Sequence, residues 1–103
     1  MIRLLNSAMM PAEGTYRLRR CSIAAFAELL QQDFVSYIGY PQTADFVARV
    51  IGRECPVNRQ QTTLEDGDVL AIIRLKYRPD APTKGAQVNE DDFEFFVADY
   101  SAA

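Results

Sequence analysis

Apolar residues at alternating and at helical spacing predict two strands and one helix in the first third of the chain. The apolar run at 2–6 is typical of a buried strand, and the alternation over 15–21 predicts a second strand. Ser22 is a typical N-cap residue, so it marks the start of a helix that we expect to end near residue 32. The apolar face of this helix follows from the spacing of Ile23, Phe26, Ala27 and Leu30.

The stretch 36–52 is the most informative part of the chain, because a tight turn there leads directly into a second predicted helix. Its apolar face is Phe46, Val47, Val50 and Ile51. Pro41 suits the first helical position, and Gly52 suits a left-handed C-terminal cap. A helix start presents unpaired backbone N–H groups and the positive end of the helix dipole, which favours an anion. The pattern leaves two interpretations open, an anion site and an ordinary turn after a short extended link at 34–38.

The last third of the chain predicts two further strands. The stronger one, at 69–78, follows a β-prone stretch at 59–64 and a hairpin turn at 65–68. A long polar loop at 79–89 then precedes a last strand at 93–100. Together the patterns predict a single compact α/β domain, with a mixed β-sheet of about five strands covered mainly on one face and flanked by two main helices.

Basic residues recur at every second position near the end of the 69–78 strand: Arg74, Lys76 and Arg78. Alternate residues of a strand point to the same side, so the three share one face. They form either a solvated edge of the sheet or a ladder that faces phosphate groups.

Length and charge narrow the classes of partner. A chain of 103 residues, 49% of them hydrophobic, is expected to form one domain around one core. The formal charge of −3 argues against a protein that coats duplex nucleic acid, although a small basic pocket remains allowed. No apolar run approaches about 18 residues, so we expect no membrane span. We expect a cytoplasmic protein in which Cys21 and Cys55 are reduced thiols.

The chain contains no histidine, which limits the chemistry available to it. Ser–His and Cys–His nucleophile pairs and most transition-metal sites are excluded. The acidic residues 90–92 are expected to be solvated rather than to hold a metal ion, and no cofactor is expected. No P-loop, dinucleotide-binding glycine motif or nucleophile elbow is present.

Three segments, in order, resemble the viral family that includes the type III anti-CRISPR ring nucleases. They are Leu4–Ala8, Ser36–Gly52, and Pro56–Arg59 followed by the strand that ends at Arg78. The resemblance covers about residues 2 to 80 and weakens after that. It implies a homodimer, with a mixed sheet flanked by helices, that binds cyclic tetra-adenylate across the two-fold interface. Enzymes of the family linearise and cleave this messenger of antiviral defence.

The resemblance also assigns ligand-contacting positions. Tyr40 occupies the position of a histidine that acts on the leaving oxygen, and Arg78 matches an arginine that contacts the phosphate. Gln42, Thr43 and Arg74 match further ligand contacts. The position of an assisting glutamate is Ala81 here, with Asp80 only nearby.

The replacement of the histidine by Tyr40 and of the assisting glutamate by Ala81 favours ligand binding over ligand cleavage. Loss of a positioned acid costs typically about 10²–10⁴-fold in rate. We therefore predict a protein that sequesters a cyclic nucleotide, with Arg74 and Arg78 on phosphate, the Gly39–Thr43 turn giving backbone contacts, and Tyr40 stacking on a base or bonding to the ligand. Two alternatives stay open: a metal-independent ring nuclease in which Tyr40, Arg78 or Asp80 acts, and a structural or interaction protein that has lost the ligand.

Overall fold

Five strands and two helices form the part of the chain that the computed structural model describes, residues 1–6, 12–59, 62–76 and 90–103. The predicted mixed α/β class is confirmed. In chain order the elements are β1 Ile2–Leu5, β2 Gly14–Arg20, α1 Ile23–Leu29, β3 Phe34–Ser36, α2 Pro41–Ile51, β4 Val69–Leu75 and β5 Phe93–Ala102, with a single 3₁₀ turn at Glu90–Asp92 before β5.

All five strands belong to one mixed sheet in the order β2-β5-β4-β1-β3. The three strands β3, β1 and β4 run parallel, and Leu4 of β1 is paired with Ser36 on one side and Ala71 on the other. On the other half of the sheet, β5 runs antiparallel to both β4 and β2. The carboxyl ends of these three parallel strands therefore lie together at one end of the sheet, which we call the carboxyl edge.

Both helices pack on one face of the sheet, as the sequence predicted. Phe26 and Leu30 of the α1 region and Val47 of α2 are fully buried in a core with alternate sheet residues. Ala71 and Ile73 belong to this core, whereas Leu70 and Ile72 belong to a smaller apolar cluster on the opposite face. The alternation predicted for β4 is confirmed.

The predicted hairpin turn at 65–68 is wrong, although a turn is present. Gly67 has a φ of +88°, and the Asp68 N–H donates to the Glu65 carbonyl oxygen. Residues 62–64 form no strand, and β4 pairs with β1 and β5 instead. The physical reason lies in Asp68, whose carboxylate accepts hydrogen bonds from the Glu65 N–H and from Arg3 on β1. These bonds place the turn beside β1, so β4 starts next to β1 and pairs with it.

Two smaller predictions also need correction. The extended link at 34–38 contains an edge strand of the sheet, β3, which pairs with β1. Helix α1 ends at Leu29, not near residue 32, because the Gln31 and Gln32 N–H groups donate to carbonyl oxygens three residues back instead of four. The Arg53 guanidinium then binds the carbonyl oxygens of Leu30 and Gln32 at 2.8 and 3.0 Å. The predicted loop at 79–89, and the end of the predicted strand with Arg78, lie outside the described residues.

Cys21 and Cys55 are free thiols in the structure, as predicted. Burial raises the pKa of both thiols. Within the described ranges, neither helix is long and apolar enough to cross a membrane.

Candidate ligand site at the carboxyl edge of the sheet

The candidate site lies where the three parallel strands end. In open α/β sheets, ligands bind beyond the carboxyl ends of the strands. Ser36 and Ala71 lie level with each other, one on each side of Leu4. Gly39 and Arg74 each lie three residues further along, so both of these predicted site residues belong to the same edge.

The connection from β3 to α2 is held by backbone bonds along both of its sides. The Tyr37 N–H donates to the Leu4 carbonyl oxygen at 2.8 Å. On the other side, Ile38 forms a parallel bridge with Val57, and the Asn58 N–H donates to the Ile38 carbonyl oxygen at 2.7 Å. The segment 56–59 therefore runs beside the turn and fixes its shape.

Helix α2 starts as the sequence predicted, with Pro41 in its first turn and Tyr40 as N-cap. Tyr40 has extended backbone angles, and no side chain caps the first turn of the helix. The Tyr40 side chain is available to a ligand, because the residue is 47% exposed. Gln42 is exposed too, whereas Thr43 is only 4% exposed. The helix start thus offers an aromatic ring, an amide side chain and uncapped backbone N–H groups.

Arg59 completes this part of the site, and the sequence analysis did not single it out. Its Nε donates to the Gly39 carbonyl oxygen at 2.8 Å, while the residue as a whole is exposed. Among the described residues the terminal nitrogens of the guanidinium have no hydrogen-bond partner, so they could bind an anion. The contact joins residues twenty positions apart, so no local sequence pattern could predict it. The only sequence signal was that Arg59 belongs to one of the three segments that resemble the viral family.

Arg74 lies on the same edge but is already paired. Its Nη2 donates to Glu94 Oε1 at 2.6 Å, and Arg20 Nη2 donates to Glu94 Oε2 at 2.5 Å. Both guanidinium carbons lie over the Phe96 ring, at 5.8 and 5.5 Å from its centroid. The Arg74 hydrogen bond, with Arg20 adding to it, holds the pKa of the Glu94 carboxyl below its ordinary value. Two cations on one carboxylate leave this cluster with a net positive charge.

Of the six predicted site residues, the structure brings four together, places Arg74 away from them and does not describe Arg78. Gly39, Tyr40, Gln42 and Thr43 form the start of α2. Arg74 is separated from them by β1, which at two strand spacings is a distance of roughly 10 Å across the sheet. Arg78, predicted as the phosphate contact, lies outside the described residues. In the described part of the chain, no group of three or more Cys, Asp or Glu side chains is arranged to hold a metal ion.

A sequence family described as STIV B116-like matches residues 2–101. The chain belongs to this family. The uncharacterized protein 26 of Sulfolobus islandicus filamentous virus (isolate Iceland/Hveragerdi) is 36% identical over 83 residues, which cover 76% of this chain and 70% of the relative. The family thus has members in archaeal viruses, and the predicted resemblance to a viral family is confirmed at this level.

A solved structure of the family shows the same fold. B116 of Sulfolobus turreted icosahedral virus superposes with a TM-score of 0.77, covering 94% of this chain and 97% of B116. The two sequences are 17% identical, so this likeness supports the architecture and says nothing of a ligand.

Proposed function

We propose that this member of the STIV B116-like family binds a cyclic oligonucleotide messenger of antiviral defence, cyclic tetra-adenylate, and sequesters it as a counter-defence protein. The observation that carries the proposal is the start of α2, where the Arg59 guanidinium binds the carbonyl oxygen of Gly39, the residue directly before the exposed Tyr40. Phosphate groups of the ligand would meet Arg59 and the backbone N–H groups, and Tyr40 would stack on an adenine.

Sequestration fits this site better than cleavage. To open the ring, a ribose 2′-oxygen attacks the adjacent phosphorus, and the 5′-oxygen that leaves must take up a proton. The resemblance places a histidine at the position of Tyr40 for that step, and this chain has no histidine. A site that keeps its anion contacts and lacks this acid binds the messenger and leaves it intact.

A homodimer is part of the proposal. The resemblance implies that the ligand lies across a two-fold axis, so that each protomer contributes one α2 start and one Arg59. A four-phosphate ring then meets two equivalent sets of donors. Light scattering measures the molar mass of the protein with and without ligand. We expect the mass of two chains, and of two chains plus one ligand when the ligand is present.

The deciding experiment recovers the ligand from the protein. Purified protein is mixed with an equal amount of labelled cyclic tetra-adenylate, unbound ligand is removed by filtration, and the protein is denatured to release what it held. Chromatography should then show the intact ring. Linear fragments would show that the protein is a ring nuclease with Tyr40, Arg78 or Asp80 as candidates, and intact ligand in the filtrate alone would leave the structural or interaction role.

One variant tests the site against a matched control. Arg59→Ala removes the guanidinium that binds the Gly39 carbonyl oxygen and should weaken ligand binding by roughly ten-fold, because hydrogen bonds to charged groups are worth about 1.5–3 kcal/mol. Arg49→Ala is the control, since Arg49 is exposed on α2 and forms no ion pair among the described residues; its guanidinium carbon lies 5.8 Å from the centroid of the Phe46 ring. Equal affinity of the parent and Arg59→Ala would contradict the site.

A further inference from the structure

Strand β2 forms one edge of the sheet, at the opposite end from β3 and the candidate ligand site. It is seven residues long and exposed along its length except for the half-buried Tyr16. Among the described residues, β2 pairs only with β5. The sheet therefore ends in a strand whose outer side is open.

The register shows which backbone groups face outward. The Cys21 N–H donates to the Phe95 carbonyl oxygen at 2.9 Å, and Arg19 is paired with Val97. In an antiparallel pair, alternate residues bond to the neighbouring strand. Odd-numbered residues of β2 thus bond to β5, while Leu18 and the other even-numbered residues point their N–H and C=O groups away from the sheet.

The β2 edge is strongly basic in an otherwise acidic chain of net charge −3. It carries Arg17, Arg19 and Arg20, with Leu18 between them 45% exposed. On its inner side, β5 already supplies carboxylates: Asp99 binds Arg19 at 3.1 Å, and Glu94 binds Arg20. Arg17 makes no ion pair within the described part of the chain. Strand β5, which already pairs with β2, thus presents carboxylates among apolar residues to the arginines of β2.

We propose that the β2 edge binds an extended acidic peptide segment of a partner protein as an additional strand of the sheet. Its backbone would bond to the outward N–H and C=O groups of Leu18 and its even-numbered neighbours, as in recognition by strand addition. Carboxylates at alternate positions would meet Arg17 and Arg19, and an apolar residue between them would cover Leu18. Strand β5 presents the same combination of carboxylates and apolar residues to β2 on the side that faces the sheet.

A second copy of the chain is a poorer occupant of the β2 edge. An antiparallel pair of β2 strands centred on Leu18 places Arg17 of one copy opposite Arg19 of the other. Like charges directly opposite each other destabilise a strand pair. Charge complementarity therefore selects an acidic segment and opposes self-association through this edge.

The test uses a labelled peptide of seven residues, the length of β2, with glutamate at alternate positions and valine or threonine between them. Fluorescence anisotropy measures its binding to the whole protein at low and at high salt. We expect saturable binding that weakens as salt is raised. A peptide with lysine in place of glutamate is the control and should not bind.

Two variants separate backbone pairing from charge. Leu18→Pro removes an outward N–H and leaves the β5 ladder complete, because proline is tolerated in edge strands where the N–H faces solvent. Arg17→Glu reverses a charge that has no ion-pair partner among the described residues; because Asp99 of β5 lies opposite it, circular dichroism checks the fold of this variant too. Each variant should weaken binding by about five-fold, while the control Arg49→Glu should change it less than about two-fold.

The outcomes decide between occupants. If the parent binds the acidic and basic peptides alike, or if Arg17→Glu and Leu18→Pro bind as tightly as the parent, the proposal is wrong. If the parent self-associates and Leu18→Pro does not, the edge belongs to a second copy and the proposal is equally wrong. Circular dichroism checks the fold of Leu18→Pro; should that variant unfold, Arg17→Glu decides alone.

Discussion

Arg3 and Asp68 form a buried ion pair that joins β1 to the turn before β4. Arg3 Nε donates to Asp68 Oδ2 at 2.7 Å, and Arg3 Nη1 donates to the Tyr37 hydroxyl at 3.1 Å. Burial alone would raise the pKa of the Asp68 carboxyl, but the bonds from the Glu65 N–H and from Arg3 outweigh it and hold the pKa below its ordinary value of 3.8. Asp68 is therefore ionised in the folded protein at neutral pH.

This ion pair makes stability dependent on pH in a defined direction. A carboxyl with a lowered folded pKa contributes stability above pH 3.8, and that contribution is lost as the pH falls through the folded pKa. Asp68→Asn should lower the free energy of unfolding at pH 7 by roughly 3 kcal/mol, because it leaves Arg3 buried without its partner. Urea denaturation at a series of pH values measures both effects.

The exposed pair of Arg19 and Asp99 supplies the control for that prediction. Asp99→Asn should lower the unfolding free energy by less than about 1 kcal/mol, as for other surface ion pairs. If Asp68→Asn unfolds at the same urea concentration as the parent at pH 7, the buried pair does not stabilise the fold as argued.

Tyr40 shows what could be predicted about a single residue. The sequence predicts Pro41 at the first helical position, which leaves Tyr40 directly before the helix, and the resemblance predicts a ligand-facing position for Tyr40. The structure confirms the N-cap position and the exposure of the side chain. Its neighbour Arg59 could not be predicted in the same way, because a bond between residues twenty apart depends on how two segments are brought together.

At the scale of elements, α2 is predicted to the residue because its ends depend on local chemistry. Pro41 fits the first turn, and Gly52 adopts a φ of +68° and donates its N–H to the Ala48 carbonyl oxygen at 2.9 Å. The turn before β4 shows the opposite case. Its residues have the composition of a hairpin turn, but the partner of β4 is chosen by burial of Leu70 and Ile73 and by the bond from Arg3 to Asp68.

The left-handed cap of α2 gives an element-scale prediction. Gly52→Ala places a side chain where φ is +68° and should lower the unfolding free energy by about 1 kcal/mol, through backbone strain alone, since nothing lies within 4 Å of the added carbon. Gly52→Asn should cost less, because asparagine tolerates this conformation better. Thermal unfolding of the three proteins measures the order, and an alanine variant as stable as the parent would contradict it.

At the scale of the whole molecule, ligand binding and stability are linked. A ligand that binds only the folded protein raises its stability by mass action, by about 2.7 kcal/mol at a concentration one hundred times Kd. For a domain of this size, that corresponds to an increase in Tm of roughly 10–20 °C. Cyclic tetra-adenylate should produce such a rise in the parent, and linear tetra-adenylate a smaller one.

The same measurement connects the site to the fold. Arg59→Ala should reduce the ligand-induced rise in Tm, while its Tm without ligand falls only by the few degrees that correspond to the lost bond to the Gly39 carbonyl oxygen, about 1 kcal/mol at this exposed position. If no cyclic nucleotide shifts the Tm of the parent, the structural or interaction role becomes the better interpretation of the family resemblance.

The sequence alone determined the features that depend on neighbouring residues: the alternation of apolar residues in β4, both ends of α2, the mixed α/β class with two helices, and the resemblance to a viral family. Only the tertiary structure decided the strand order, the place of β3 in the sheet, the pairing of Arg74 with Glu94, and the bond of Arg59 to Gly39. The reason is physical. Backbone preferences and side-chain periods act within a few residues, whereas strand partners and buried charge pairs are selected by burial and hydrogen bonding between distant parts of the chain.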